Sequence, residues 1–298
     1  MHVFLTGGSG LIGSGVLRAL LADGHRVSAL ARSESTAGEL AAAGAQVVRG
    51  DLVDLGILAA GARRADAVIH TALPGDHTNA EVDAGVVGTV LEVLAGSGKP
   101  FLHTSGVWTY GSGVLDEETP FSWTGMTAWR LPLDARVRAS AADGVRGVVI
   151  APGIVYGTGR GLPAVIRDAE RTGDGALRLP GSGAQRWTTV HTADLGRLYA
   201  AALIEAAPGA YYLGVSGVNP TVREIGVAAH LGQGGDGRVQ PSSHEETVRM
   251  FGPFALPFMQ DQQADGRKAR AELGWLPTEP SLVDELTRGS YAPAQVGV

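Results

Sequence analysis

Through the first half of the chain, short apolar runs alternate with longer stretches whose apolar positions recur at helical spacing. The runs are HVFL, RVSALA, QVVRG, DAVIHTA, PFLHTS and GVVIAPG, and the helices predicted between them cover residues 11–22, 37–43, 53–61, 80–94 and 129–142. Near-continuous apolar strands alternating with amphipathic helices predict right-handed crossovers and a doubly wound parallel sheet, an α/β fold of the Rossmann type covered on both faces. After Gly153 the pattern is less regular and richer in proline and glycine. Helices are expected there over 162–172, 193–206, 221–231 and 245–251, with a short strand at 211–214 and a tail helix over 281–288. The predicted division is a dinucleotide-binding core over 1–152 and a smaller, mostly C-terminal region over 153–298, some of whose elements return to the core. Ligands of such sheets lie outside the carboxyl ends of the strands, so the second half is expected to cap that edge and shape a substrate pocket.

The first apolar run leads directly into Gly7, Gly8, Ser9, Gly10, Leu11, Ile12 and Gly13 and then into a helix. Gly7 permits the tight turn, Gly10 lets backbone amides approach a pyrophosphate, and Gly13 lets the helix pack closely on the strand. The anion would sit against Ser9, Gly10, Leu11 and Ile12 at the positive end of that helix. A strand before and an amphipathic helix after are the context that gives this glycine spacing its meaning.

Composition narrows the picture. The formal charge is -6 over 298 residues with no block of like charges, which argues against a nucleic-acid partner or a polybasic membrane surface. Cysteine is absent, so disulfides and thiolate metal sites are excluded, and no metal site is expected. The chain opens on a strand and has no long uninterrupted apolar segment, which reads as a soluble cytoplasmic protein. Only two of the 24 basic residues are lysines, Lys99 and Lys268.

The second strand ends at Arg32 and Ser33, about twenty residues past the glycine turn, where an acidic residue would bind the ribose 2′-hydroxyl of NAD. Arg32 can instead fork onto a 2′-phosphate with Ser33 adding a hydroxyl, so NADP is expected in preference to NAD. A solvated surface role for Arg32 is the alternative. Asp51 and Leu52 close the third strand, where adenine usually lies, although Asp51 can also cap the following helix. Thr71, Ala72 and Leu73 close the fourth strand beside the cofactor ribose.

With TGGSGLIG, GDLVD, ADAVIHTA, FLHTSGVWTYG, VVIAPGIVYG, TTVHTADLGRLYAAAL and AELGWLP in place, the chain resembles the extended short-chain dehydrogenase/reductase superfamily, NAD-dependent epimerase/dehydratase group, over nearly its full length. The resemblance implies that Thr104, Pro152, Gly153 and Val155 lie near the nicotinamide, and that the region after Gly153 builds the substrate pocket. It leaves the oligomeric state open, the helices after the fourth and fifth strands being the faces that relatives commonly use to form a homodimer.

The chemistry of that family rests on a tyrosine, a lysine four residues later and a serine or threonine. The segment Gly125 to Arg136, where the pair should fall, holds neither tyrosine nor lysine. Lys99 precedes the fifth strand and Lys268 lies in the tail. Counting back from Tyr110, the serine position falls on Gly106, and the positions that hold acid and base in sugar-nucleotide dehydratases are Val107 and Trp108. Dehydratase chemistry is therefore not expected.

Candidate proton donors are Ser105 and Tyr110 after the fifth strand, Tyr156 after the sixth, and Asp134 on the helix that would have carried the pair. Each has a plainer role available: both tyrosines can pack in the core, Ser105 can bond backbone, and Asp134 can pair with Arg130 or Arg138. His191 reads as a helix-start hydrogen bond. A substrate needing no strong acid, such as an iminium ion or conjugated acceptor, is the other solution. Trp108 and Trp129, with Phe251, Phe254, Phe258 and Met259, would line an aromatic pocket for it, or else pack the tail. Arg186 would hold an anionic or carbonyl group, or form a surface ion pair. The expectation is an NADPH-dependent reductase of a small, partly apolar substrate. A non-redox isomerase, lyase or cyclase on the same fold and a sensor of the NADPH to NADP ratio are the alternatives.

Overall fold

The computed structural model describes residues 1–122 and 125–293. Its central sheet has seven strands: β1 (His2–Thr6), β2 (Arg26–Ala31), β3 (Gln46–Arg49), β4 (Ala67–His70), β5 (Pro100–Thr104), β6 (Arg146–Pro152) and β7 (Tyr211–Gly214). Their spatial order is β7-β6-β5-β4-β1-β2-β3, and every neighbouring pair is parallel. The order reverses at β1, so the crevice at the carboxyl ends of β1 and β4 is the switch point where ligands of such sheets bind.

The helices α1 (Leu11–Ala22), α2 (Glu34–Ala42), α3 (Leu55–Arg64), α4 (Asn79–Leu94), α5 (Arg130–Ala139), α6 (Leu162–Arg167), α7 (Thr192–Glu205) and α8 (Val222–Gly232) follow in chain order. One face of the sheet buries Leu5, Val16, Leu40 and Leu198 with α1, α2 and α7. The other buries Phe4, Leu58, Val86 and Val137 with α3, α4 and α5. The alternation of Phe4 and Leu5 between these two layers is the period-two strand pattern, with both faces apolar. Helices α1 and α7 meet backbone to backbone, since a Cβ on Gly196 would stand 2.5 Å from the Gly15 carbonyl carbon.

A third core belongs to the C-terminal half, where Tyr156, Leu179, Trp187, Ile225 and Phe258 pack together. Yet α7 and β7 also come from residues after 153 and complete the main sandwich. The tail is fastened to it through Asp194, whose carboxylate accepts from the Thr278 and Glu279 amides at 2.8 and 3.2 Å.

Several helix limits differ from the sequence pattern for local reasons. The helix expected over 37–43 starts at Glu34 because Ser33 caps it, accepting from the Thr36 amide at 3.1 Å. The one expected over 53–61 runs from Leu55 to Arg64. The one expected over 129–142 is α-helical only to Ala139, and a 3₁₀ turn carries it to left-handed Gly144. The one expected over 162–172 stops at Arg167. Among the described residues, no helix is long and apolar enough to cross a membrane.

Candidate active site

The strand-to-helix turn after β1 is built as the glycine spacing requires. Gly7 adopts φ +77°, and a Cβ there would stand 2.8 Å from the Thr71 and Ala72 backbone. A Cβ on Gly13 would stand 2.6 Å from the Gly7 carbonyl carbon. Gly10 is the N-cap of α1 and brings no side chain to its first turn, so the amides of Leu11, Ile12 and Gly13 keep the free donor capacity of a helix start. The turn opens on a groove of about 350 Å³. Of the predicted cofactor residues, Gly7, Ser9, Arg32, Asp51, Leu52, Ala72 and Leu73 line it. Arg32 stands at its rim with 73% of its side chain exposed, its Nε 3.8 Å from Asp51 Oδ2. The Ser33 hydroxyl is engaged elsewhere, accepting from the Thr36 amide and donating to Thr36 Oγ1 at 3.0 Å.

The positions expected near the nicotinamide lie at the ends of β5 and β6. Thr104 Oγ1 donates to the His70 carbonyl at 2.7 Å and is 2.6 Å from the Tyr199 hydroxyl. Thr71 Oγ1 donates to the Thr6 carbonyl at 2.8 Å. Pro152 ends β6, Gly153 packs against the Thr188 carbonyl carbon, and Val155 sits half-buried in a short strand paired with Thr189–His191.

Beneath this edge runs a chain of buried polar groups. Thr6 Oγ1 lies 2.5 Å from His70 Nδ1, and His70 Nε2 lies 2.8 Å from Asp83 Oδ1 on α4. Asp83 Oδ2 lies 3.1 Å from His103 Nε2 on β5, whose Nδ1 lies 3.3 Å from Asp134 Oδ1 on α5. Ser105 Oγ then donates to Asp134 Oδ2 at 2.5 Å. All six residues are at most 4% exposed. The His103–Asp134 contact is the loosest link, an ion pair without hydrogen-bond alignment.

Charge assignment follows from these contacts. Burial would depress His103, but the carboxylates of Asp134 and Asp83 on either side raise it to about 9 and keep it an imidazolium. Burial depresses His70, only partly offset by Asp83, so it is neutral: its Nε2–H donates to Asp83 and its Nδ1 accepts from Thr6. Burial works to raise Asp83, yet the hydrogen bonds from His103 and His70 hold it well below the usual carboxylate range. Arg130, the first residue of α5, donates to the Thr104 carbonyl at 2.7 Å and lies over the Trp129 ring. Two carboxylates, one imidazolium and one guanidinium thus form a neutral set in the interior.

Of the four proton-donor candidates, Ser105 and Asp134 are brought into direct contact, and Asp134 makes no ion pair with Arg130 or Arg138 among the described residues. The helical spacing suggested such a pair, but Asp134 points inward to β5 and is 2% exposed. Tyr110 packs its ring 4.7 Å from Phe121, and its hydroxyl is buried without a partner among the described residues. Burial raises it above the ordinary phenol range. Tyr156 donates to the Pro280 carbonyl at 2.8 Å with its ring against His191, and His191 Nδ1 accepts from the Ala193 amide at 3.2 Å to cap α7. Arg186 is exposed and donates to the Asn219 carbonyl at 2.9 Å.

The aromatic set divides. Phe251 and Phe258 belong to the C-terminal core, while Trp108 is half-buried and meets Phe254 and Phe258 edge to face or tilted. Lys99 donates to the Ala65 carbonyl at 2.7 Å at the amino-terminal side of the sheet, and Lys268 donates to the Tyr211 carbonyl at 3.1 Å.

His70, Asp83 and His103 were not singled out by sequence reasoning. A signal was present: His103 interrupts the apolar run PFLHT, and Asp83 stands on the inner stripe of a helix otherwise lined by Val86, Val87 and Val90.

The model of the NAD dependent epimerase/dehydratase family matches residues 3–214. An uncharacterized protein of Schizosaccharomyces pombe is 32% identical, covering 98% of this chain and 100% of its own. A 3-diazoavenalumate denitrifying reductase from a Streptomyces species is 28% identical, covering 97% of this chain and 100% of its own. Among solved structures, the Thermus thermophilus UDP-glucose 4-epimerase complex with NAD superposes with a TM-score of 0.78 at 22% identity, over 99% of this chain and 100% of that one.

Proposed function

Because the chain belongs to the NAD-dependent epimerase/dehydratase family, we propose that it is an NADPH-dependent reductase of a small, partly apolar carbonyl, imine or conjugated acceptor, working without a tyrosine–lysine pair. What supports this reading is the glycine turn at Gly7, Gly10 and Gly13 together with a helix α5 that offers Arg130 and Asp134 but no tyrosine or lysine. A bound nicotinamide would supply the hydride, and the chain's part is to hold and orient it. The first-turn amides of α1 would take the pyrophosphate, and Arg32, on the exposed rim where an acid would otherwise grip a 2′-hydroxyl, would take a 2′-phosphate. The similarity to a 3-diazoavenalumate denitrifying reductase supports redox chemistry in place of epimerisation. Trp108 and Trp129 would form the apolar side of the substrate pocket.

The test is a stopped-flow screen of NADPH and NADH oxidation against ketones, imines and enones. Oxidation of NADPH in preference to NADH is expected, and Arg32→Asp should reverse that preference. Unchanged cofactor selectivity in Arg32→Asp would overturn the assignment of that residue, and silence across the panel would overturn the reductase reading.

A further inference from the structure

We propose that Thr6, His70, Asp83, His103, Asp134 and Ser105 form a proton relay with the Ser105 hydroxyl as its outlet and the His103 imidazolium as its stored proton. The proposal rests on the reductase reading and deepens it, because a stored proton serves a carbonyl, whose reduction leaves an oxyanion, and not an iminium ion.

Geometry is the first support. Four of the five links are hydrogen bonds and the fifth, His103 to Asp134, is a 3.3 Å ion pair, and each joins different elements, from β1 through β4, α4, β5 and α5 to the residue following β5. Thr6 and Ser105 both stand at the carboxyl edge, where ligands of this fold bind. Next to Ser105, a Cβ built on Gly106 meets nothing within 4 Å, so the chain leaves open space beside the outlet.

Energetics is the second. An ionised chain in a fully buried layer costs desolvation that apolar side chains of equal volume would avoid. Val86, Val87 and Phe101 on the same elements show that this layer accepts such residues. The groups that face His103 are Asp83 from α4, Asp134 from α5 and His70 from β4. Arg130 from α5 and Tyr110 and Tyr211 complete the surroundings of the two carboxylates. The set keeps one proton mobile between two carboxylates while remaining neutral overall, an arrangement suited to transfer.

Hydride addition to the carbonyl carbon leaves an oxyanion. The His103 Nδ1–H bond breaks as an O–H bond forms on the Asp134 carboxylate, the Ser105 hydroxyl turns from Asp134 to the oxyanion and its O–H bond breaks as one forms on the substrate, and the Asp134 proton passes to Ser105 Oγ. His103 ends neutral, and solvent restores its proton. The 3.3 Å His103–Asp134 contact is the link that must tighten during transfer. Ser105 is the catalytic residue in this scheme; the others act through it.

The experiment has two arms. First, imidazole NMR of the resting protein should find His103 protonated up to about pH 9, with a lower midpoint in Asp134→Asn. This arm needs no substrate. A His103 midpoint at the ordinary histidine value, with both carboxylates intact, would overturn the relay. Second, 9,10-phenanthrenequinone and NADPH serve as the carbonyl probe. Ser105→Ala should lose roughly 10²- to 10⁴-fold in kcat, as expected for removal of a general acid. Ser105→Thr should recover most of it, and His103→Gln should lose the alkaline fall of kcat near pH 9. Wild-type rate and pH profile in Ser105→Ala would overturn the outlet. A protonated His103 in a chain that oxidises no NADPH with this probe or the panel would overturn the reductase reading, and the outlet with it.

Discussion

Raising the pH from 6.5 to 9.5 should weaken this protein through a single imidazole. His103 has no exposed surface, and the carboxylates of Asp134 and Asp83 raise it to about 9, against 6.5 for an unperturbed histidine. A folded-state value above the unfolded one stabilises the fold fully below pH 6.5, and that stabilisation is lost as pH rises through about 9. At about 1.4 kcal/mol per unit, the interval corresponds to about 3 kcal/mol. With unfolding entropy near 2.1 cal/mol/K per residue, a chain of 298 residues loses roughly 5 °C of Tm for that amount. The assay is thermal or urea unfolding of wild type and His103→Gln across this range. Subtracting the two removes exposed groups such as the Met1 amine, which lies 3.1 Å from His25 Nδ1. Wild type should lose about 3 kcal/mol more than the variant. A difference that stays constant with pH would refute the imidazolium assignment and with it the neutral four-charge set.

Three other outcomes follow from the packing. Gly13→Ala should cost about 2–3 kcal/mol and abolish NADPH binding, because the added methyl overlaps the Gly7 carbonyl; dye-monitored melting and a fluorescence titration read both, and wild-type affinity would contradict the cradle. Asp194→Ala should cost about 3 kcal/mol by freeing the Thr278 and Glu279 amides and its ion pair with Arg197, with proteolysis beginning in the tail after Trp275. Gly106→Ser should leave stability within about 0.5 kcal/mol, since its backbone is extended and its Cβ direction is open, while raising KM for the carbonyl probe; a large loss of stability would show that the space is not there.

The architecture was largely legible because its signals are local. The alternation of apolar runs with helical periods, and the glycine spacing after HVFL, encode the strands, helices and turn directly. Helix ends such as Ser33 and Gly144 moved by a few residues because capping and left-handed turns override propensity. The site was legible only in part. Ser105 and Asp134 were both candidates, but their contact spans 29 positions and is set by how α5 docks on β5. The same docking removes Asp134 from the arginines at helical spacing. His70, Asp83 and His103 stayed hidden because each looks, within its own element, like a polar residue in an apolar segment, and only the sheet order brings them side by side.

The proposed reductase activity requires that hydride leave a nicotinamide for an external acceptor. The most direct measurement is turnover with NADPH deuterated at the transferring C4 position, using the acceptor most readily reduced in the panel, with the product read by mass spectrometry. One deuterium in the product and stoichiometric NADP formation are expected. Product formed without label and without cofactor oxidation, as an isomerase or lyase would give, would contradict the proposed activity.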